Sequence, residues 1–435
     1  MSILIKGLDW VITQDRGRRI LRNRSILIDQ GKIVQVGGDV RSSADHVIDG
    51  RGKAALPGLV NTHTHLSMTL LRGYADDLRL KEWLETKIWP LEKKLTGELC
   101  YVGALLGSLE MIRTGTTCFL DMYFYPADVA RAAAEAGLRA YVSHAIIDLL
   151  DPSKGEDQLA QARDSFTRVR ALNNPLVKVA VAPHSPYSCS EESLLAAKEV
   201  AVAEDAPLHI HIAETRREQA DFENRYGKRV VERLEELGFL CPNVVAAHCV
   251  WLTRREIEIM AKRGVKVSHC PVSNMKLGEG GVAPLVEMLE SRVTVSLGTD
   301  GAASNNCLDM FDTMKTCALL HKAHRWDPTA VPAQETLDLA TVGGACSLGI
   351  SDRVGSLEEG KEADIILIDL RSPSLQPIHG EGTVLSNLVY AAQGGLVDTT
   401  IVRGRVLMEA KKVLSLDEER VYRLAEQASE KLTQD

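Results

Sequence analysis

The sequence predicts an α/β protein: a closed (β/α)8 barrel flanked by a small β-sandwich built from both chain ends. Three observations predict it. The middle of the 435-residue chain alternates short apolar strands with amphipathic helical patterns, as parallel βαβ units do. Eight such strands can be counted, the number that closes a barrel. Both chain ends instead carry short β-rich runs broken by Gly, Asp and Asn, the texture of hairpins in an antiparallel sheet.

Taken in order, ILIKGLDWVIT, SILIDQGKIVQVG and HVIDGRGKAALPG supply the first hairpins. The barrel strands are expected at 58–65, 116–121, 139–144, 177–184, 208–213, 244–248, 265–269 and 294–300. Helical patterns at 127–136, 191–203, 220–237, 253–262 and 284–290 separate most of them. Hairpin texture returns in ADIILIDL from Ala363 and DTTIVRGRVLMEAKKV from Asp398, and a terminal helix is expected over 416–432. The expected division is therefore 58–357 for the barrel, with 1–57 and 358–435 forming the sandwich and the terminal helix. A doubly wound open sheet is the alternative topology for the same alternation.

Composition narrows the function classes. Lys and Arg number 51 against 59 Asp and Glu, a formal net charge of −8. Such a diffuse acidic balance argues against a nucleic-acid surface, which needs a basic patch. There is no apolar run long enough to span a membrane and no signal-like N-terminus. The nine Cys are irregularly spaced and form no C-x-x-C pair, so a reducing, cytoplasmic setting without a disulfide framework is expected.

Active sites of such barrels lie at the C-terminal ends of the strands. Six of the eight expected strands end in or near His and another ends in Asp, although the chain has only 12 His. His63 and His65, in LPGLVNTHTHLSM, are two apart and so share one face of a strand, where both can bind one metal. Alone, the pair reads equally well as two buried polar side chains. LHIHIAE sets His211 and Glu214 at the end of the fifth strand. A ligand His beside a Glu that binds no metal suits a metal-dependent hydrolase, because the Glu can shuttle protons. His209 lies one layer deeper and reads as structural. His184 in APHSPYS, His248 in AAHCVW and His269 in SHCPVSN each end a strand, where an imidazole can orient water or simply be buried. Asp300, in VSLGTDGAASN, would be costly to bury without an ionic partner. His63, His65, His211 and Asp300 thus form an N/O donor set for one catalytic Zn2+, and iron or manganese would accept the same donors.

These motifs together resemble the amidohydrolase superfamily: PGLVNTHTH on the first strand, HIAE on the fifth, AHC on the sixth and GTDG on the eighth. The resemblance runs through nearly the whole chain. More narrowly, the chain is similar to the 5′-methylthioadenosine/S-adenosylhomocysteine deaminases. That likeness lies in HTHLSMTLLRGYADDLRLKEWLETKIWPLE, APHSPYSCS, HIAET, AAHCVWL, SHCPVSNMKLGEGGVAP and LGTDGAASNN. It implies metal ligation by His63, His65, His211 and Asp300, and proton transfer by Glu214. It further implies that His248 holds the attacking water with Asp300, that Glu92 binds ribose hydroxyls, and that His184, Ser304 and Trp89 contact substrate. A second metal is not expected, because the fourth strand ends in His184 rather than in a bridging Lys or carboxylate.

The implied reaction is zinc-dependent hydrolytic deamination of the 6-amino group of an adenosine-type nucleoside, giving the inosine analogue and ammonia. The segment SHAIIDLLDPSKGEDQLA contains no Arg to meet an amino-acid carboxylate. This favours 5′-methylthioadenosine, 5′-deoxyadenosine or adenosine over S-adenosylhomocysteine, unless an Arg arrives from another loop or a neighbouring subunit. The alternative is a related enzyme for guanine, cytosine or a triazine. The expected partner is a small nucleoside, with neither nucleic acid nor membrane; a homo-oligomer is compatible with the sequence but no interface pattern marks one.

Overall fold

The computed structural model describes residues 2–38, 40 and 44–434. Strands β1 (Ser2–Ile12), β2 (Ile20–Asp29), β3 (Lys32–Gly37), β4 (His46–Asp49) and β5 (Lys53–Pro57) come from the N-terminal end. After the barrel the chain returns with β15 (Ile365–Asp369), β16 (Val397–Val402), β17 (Arg405–Glu409) and β18 (Lys412–Val413). All nine belong to one sheet in the order β18-β17-β16-β15-β5-β1-β2-β3, with β4 beside β1. The two chain ends meet at β5 and β15, which pair antiparallel with Leu56 opposite Ile366. Ile3, Ile5, Ile26, Ile28 and Ile48 from one end share a closed core with Ile365, Leu367 and Ile401 from the other. Alternation in β1 and β2 thus selects the buried face, and the antiparallel register Ile3↔Ile28, Ile5↔Ile26 keeps it.

The barrel strands are β6 (Leu59–Thr64), β7 (Thr116–Tyr123), β8 (Arg139–Ile146), β9 (Val177–Val179), β10 (Ala182–Pro183), β11 (Leu208–Ile212), β12 (Val244–His248), β13 (Lys266–His269) and β14 (Thr294–Leu297). Their ladders are all parallel. The expected fourth strand is split into β9 and β10 because Ala180 and Val181 turn away between two partners: Ala180 N–H donates to Val142 and Val181 N–H to Pro207. One seam is closed by the Val181–Leu208 bridge and the other by Asp300 N–H donating to the His63 carbonyl at 3.0 Å. The sheet therefore closes, and the open doubly wound alternative is overturned. Gly298 makes the second seam possible, since a Cβ there would sit 2.7 Å from the His63 Cβ and 2.6 Å from Ser268 Oγ.

The pattern expected as one helix over 220–237 is two helices, Arg216–Tyr226 and Val230–Glu236. Gly227, at φ +65°, takes the left-handed conformation that ends the first. Three long helices that the sequence reading left unassigned complete the outer layer: Gly97–Thr114, Pro152–Ala171 and Met310–Arg325. Their caps are ordinary: Thr96, Asp151 and Asp309 each accept a backbone N–H from the first turn. The last helix, Glu418–Thr433, packs back on Gly97–Thr114, where Arg113 and Glu418 pair at 2.5 Å. Among the described residues no single helix is long and apolar enough to cross a membrane.

Buried ion pairs join the sheet to the barrel. Arg139, at the start of β8, is 3% exposed and meets Asp364 through two N–H groups at 3.1 Å and Glu362 through a third at 2.7 Å. Replacing Arg139 by Met leaves the enclosed Asp364 carboxylate without its cation, while Glu362 keeps Arg353, and is expected to destabilise the protein by about 3–5 kcal/mol. Thermal unfolding of Arg139→Met against the parent checks this, with a clear drop in the midpoint as the expected outcome.

Candidate active site

Strand ends carry the site, as the barrel dictates. His63 and His65 leave the end of β6, His211 the end of β11, His248 the end of β12, and Asp300 the turn after β14. His63 is fully buried, and His211, His248 and Asp300 are at most 5% exposed. Ring centroids of His63 lie 4.9 Å from those of both His65 and His211, and 5.2 Å from that of His248. Asp300 Oδ1 lies 3.2 Å from His63 Nε2 and 3.1 Å from His65 Nε2.

The far side of each ring explains what the near side is for. His65 Nδ1 is 2.6 Å from the Met122 carbonyl, and His211 Nδ1 is 2.6 Å from the His184 carbonyl. A carbonyl only accepts, so both Nδ1 atoms carry hydrogen and a neutral ring presents an Nε2 lone pair to the centre. His63 Nδ1 meets His209 Nε2 at 2.7 Å, while His63 Nε2 is buried without a hydrogen-bond partner. Asp300 Oδ2 is taken by two hydroxyls, Ser273 at 2.5 Å and Ser304 at 2.8 Å, which leaves Oδ1 facing the rings. Burial alone would raise the Asp300 carboxyl, but pairing with the His63 and His65 rings in their protonated form outweighs it and holds it well below the usual carboxylate range. In their neutral form the three rings turn only acceptors toward the Asp300 anion, and a divalent cation fits between them.

Beside this centre lies Glu214, 4% exposed. Burial, reinforced by Asp300 and Glu218, raises its carboxyl well above the ordinary value. Glu218 pins the backbone here, accepting from Glu214 N–H at 2.8 Å and Ala213 N–H at 3.2 Å. His248 Nε2 lies 3.6 Å from Glu214 Oε1, and its Nδ1 donates to Asn274 Oδ1 at 2.8 Å. Several of these residues sit in left-handed backbone: Ala213 at φ +53°, His248 at +70° and Asp300 at +62°. Such strain gathers at functional sites and costs about 1–3 kcal/mol per residue.

A pocket opens over the cluster, bordered by Glu214, His184, His211, Asp300, Glu92, Trp89 and Ser304. The residues that the resemblance placed at the site all border this space except His63, whose ring lies against those of His65 and His211. Two refinements follow. The Ser304 hydroxyl is engaged with Asp300, and Trp83, which the sequence reading passed over, is the more buried of the two tryptophans on the pocket wall at 5% exposure. Glu92 Oε1 accepts from Tyr123 OH at 2.9 Å. Burial pushes the Glu92 carboxyl up and pushes the His184 imidazole down to about 3, so His184 is neutral. His269 ends its strand as expected but turns away from the pocket, toward His321.

Beyond Trp89, Glu92 and His184 the pocket continues into a chamber of about 980 Å³. Phe124, Ile147 and Leu149 form part of its wall, with His144 at the side. Asp164 and Arg168, one turn apart on Pro152–Ala171, also line it. Sequence reading missed this Arg because it lies eight residues beyond the segment inspected after the third strand. Ser273 and Asn274 were missed too, although the PVSN tetrapeptide that follows SHC carries both.

The sequence profile of the amidohydrolase family matches residues 54–407. A 5′-deoxyadenosine deaminase from Methanosarcina barkeri is 48% identical over 431 residues, covering 99% of this chain and 98% of its own. A 5-methylthioadenosine/S-adenosylhomocysteine deaminase from Thermococcus sibiricus is 47% identical over 408 residues, 94% of either chain. The crystal structure of an adenosine deaminase from Xanthomonas campestris with bound zinc superposes with a TM-score of 0.93 at 36% identity, covering 99% of this chain and 98% of its own.

The two serines that hold Asp300 Oδ2 offer a test of the donor set. Removing both hydroxyls in Ser273→Ala/Ser304→Ala is expected to weaken divalent-metal affinity by about 10- to 100-fold. Competition with a chromophoric chelator measures the change.

Proposed function

The chain belongs to the amidohydrolase family, and from that premise we propose that it is a hydrolytic deaminase replacing the 6-amino group of an adenosine-type nucleoside by oxygen. One Zn2+ per chain is held by His63, His65, His211 and Asp300. In this reading residues 58–357 are the catalytic domain, and 1–57 with 358–435 form the flanking domain. The observation that carries the proposal is the conjunction of three imidazoles and a carboxylate converging on one point with a buried carboxyl, Glu214, at its edge. Zinc is preferred to iron or manganese because the Xanthomonas adenosine deaminase carries it.

When bound, the metal supplies Lewis acidity, which makes hydroxide available near neutral pH. The remaining work falls to side chains. Glu214, whose carboxyl is raised well above its ordinary value by burial and by Asp300, delivers a proton to ring N1 of the adenine, making C6 electrophilic. His248, its Nδ1–H committed to Asn274, offers Nε2 to orient the attacking water. Water adds at C6, and Asp300 takes its proton and passes it to the amino group. Ammonia leaves, the C6 hydroxyl proton returns to Glu214, and the inosine analogue remains. Glu92 keeps one carboxylate oxygen beyond its bond to Tyr123 for ribose hydroxyls, neutral His184 faces the purine, and Trp89 with Trp83 borders the nucleoside. A free guanine, cytosine or triazine would leave Glu92 without its partner, which disfavours those substrates.

The outer chamber takes the 5′ substituent. Its apolar wall suits 5′-deoxyadenosine and 5′-methylthioadenosine. Arg168 and Asp164 together suit a carboxylate and an ammonium, so S-adenosylhomocysteine belongs in the same substrate set.

Two measurements test the reading. Glu214→Gln is expected to keep about one metal per chain yet lose about 10²- to 10⁴-fold in kcat on 5′-deoxyadenosine, followed by the adenine ultraviolet absorbance. Parent-like turnover in the metal-loaded variant overturns the role. Arg168→Met is expected to raise KM for S-adenosylhomocysteine about ten-fold, the loss of about 1.4 kcal/mol of charge-assisted bonding, and to leave 5′-deoxyadenosine unchanged.

A further inference from the structure

A second cluster of metal-ligating side chains lies behind the pocket, apart from the donors described above. His269 ends β13, while Cys317 and His321 stand one turn apart on the helix Met310–Arg325 that packs behind it. Each offers one ligand atom, and the three atoms lie within 4.8 Å of one another. His269 and His321 bring their Nε2 atoms to 3.0 Å. All three side chains are enclosed, at 0–1% exposure.

In the absence of an ion the cluster is imperfectly matched. One imidazole can donate its Nε2–H to the other, and the thiol packs as a small apolar group. His269 Nδ1 is then left buried with no partner, whichever tautomer the pair adopts. An orphaned buried polar atom costs about 1–3 kcal/mol.

The donor set is soft, with one sulfur and two imidazoles, and it contains no carboxylate. Three donors fall short of the four that close a structural zinc site. A divalent ion on one thiolate and two neutral rings would also leave a net positive charge in a dry interior. A monovalent soft ion meets both constraints: three ligands suffice, and the complex is neutral. We propose that His269, Cys317 and His321 form a second metal site, selective for Cu(I) and separate from the hydrolytic centre. Binding releases the Cys317 thiol proton to solvent, so that thiolate, cation and two neutral imidazoles sum to zero charge.

The test uses the full-length, zinc-loaded protein with exposed Cys346 changed to Ser, which removes capture by that surface thiol. Cu(I) alone is supplied anaerobically as its acetonitrile complex, unbound ion is removed by gel filtration, and the copper K-edge X-ray absorption spectrum is recorded. The expected result is one retained copper per chain with one sulfur and two nitrogen scatterers. Cys317→Ser and, independently, His321→Gln should lose the retained copper, whereas His211→Gln should keep it. No retained copper, a spectrum without this mixed shell, or copper that survives Cys317→Ser but is lost with His211→Gln overturns the proposal. The spectrum of the parent decides the matter even where a variant fails to fold.

Discussion

Three imidazole nitrogens and a carboxylate oxygen face one point, and the barrel is organised around keeping them there. Left to themselves, these lone pairs repel. The fold holds them by committing the far side of each group: Met122 and His184 carbonyls behind His65 and His211, His209 behind His63, and Ser273 with Ser304 behind Asp300. The neighbouring strain belongs to the same arrangement. Ala213, His248 and Asp300 take left-handed backbone at or beside the strand ends that present these groups.

The helical layer and the terminal sheet serve this geometry at one remove. Ser273 and Asn274 lie on the short helix Pro271–Lys276, and Ser304 on Ala302–Asn305, so two loops after adjacent strands grip Asp300 and His248 from the same side. The sheet built from both chain ends is locked to β8 through Arg139, a cation almost wholly enclosed by Glu362 and Asp364. Its contribution is to fix the barrel wall opposite the catalytic loops, a role that large buried ion networks fill through geometry more than through net stabilisation.

Much of this is legible in the chain. His63 and His65 announce themselves by a spacing that puts both on one strand face, Glu214 by its place after a strand-end His, and Asp300 by ending an apolar strand where no isolated carboxylate belongs. Residues that act through another residue are harder to read. A Ser that holds Asp300, or an Asn that holds His248, looks like any loop polar group until the partner's position is known. His269 shows the converse: its strand-end position matches that of His248, yet it turns toward His321 and away from the pocket. Arg168 escaped because it reaches the chamber from far along a helix, and helical spacing alone does not say which of its charged residues face a cavity.

By itself the sequence determined the alternation of strand and helix, the hydrophobic faces, the identity of the metal-competent side chains and the kind of chemistry they support, since each of these is a local property of residue type and spacing. Tertiary structure decided closure of the barrel at the His63–Asp300 seam, the hydrogen on each ring, the raised proton affinity of Glu214 and the lining of the 5′ chamber. Those depend on groups far apart in the chain meeting in a space that excludes water, and no local pattern encodes which distant group will arrive.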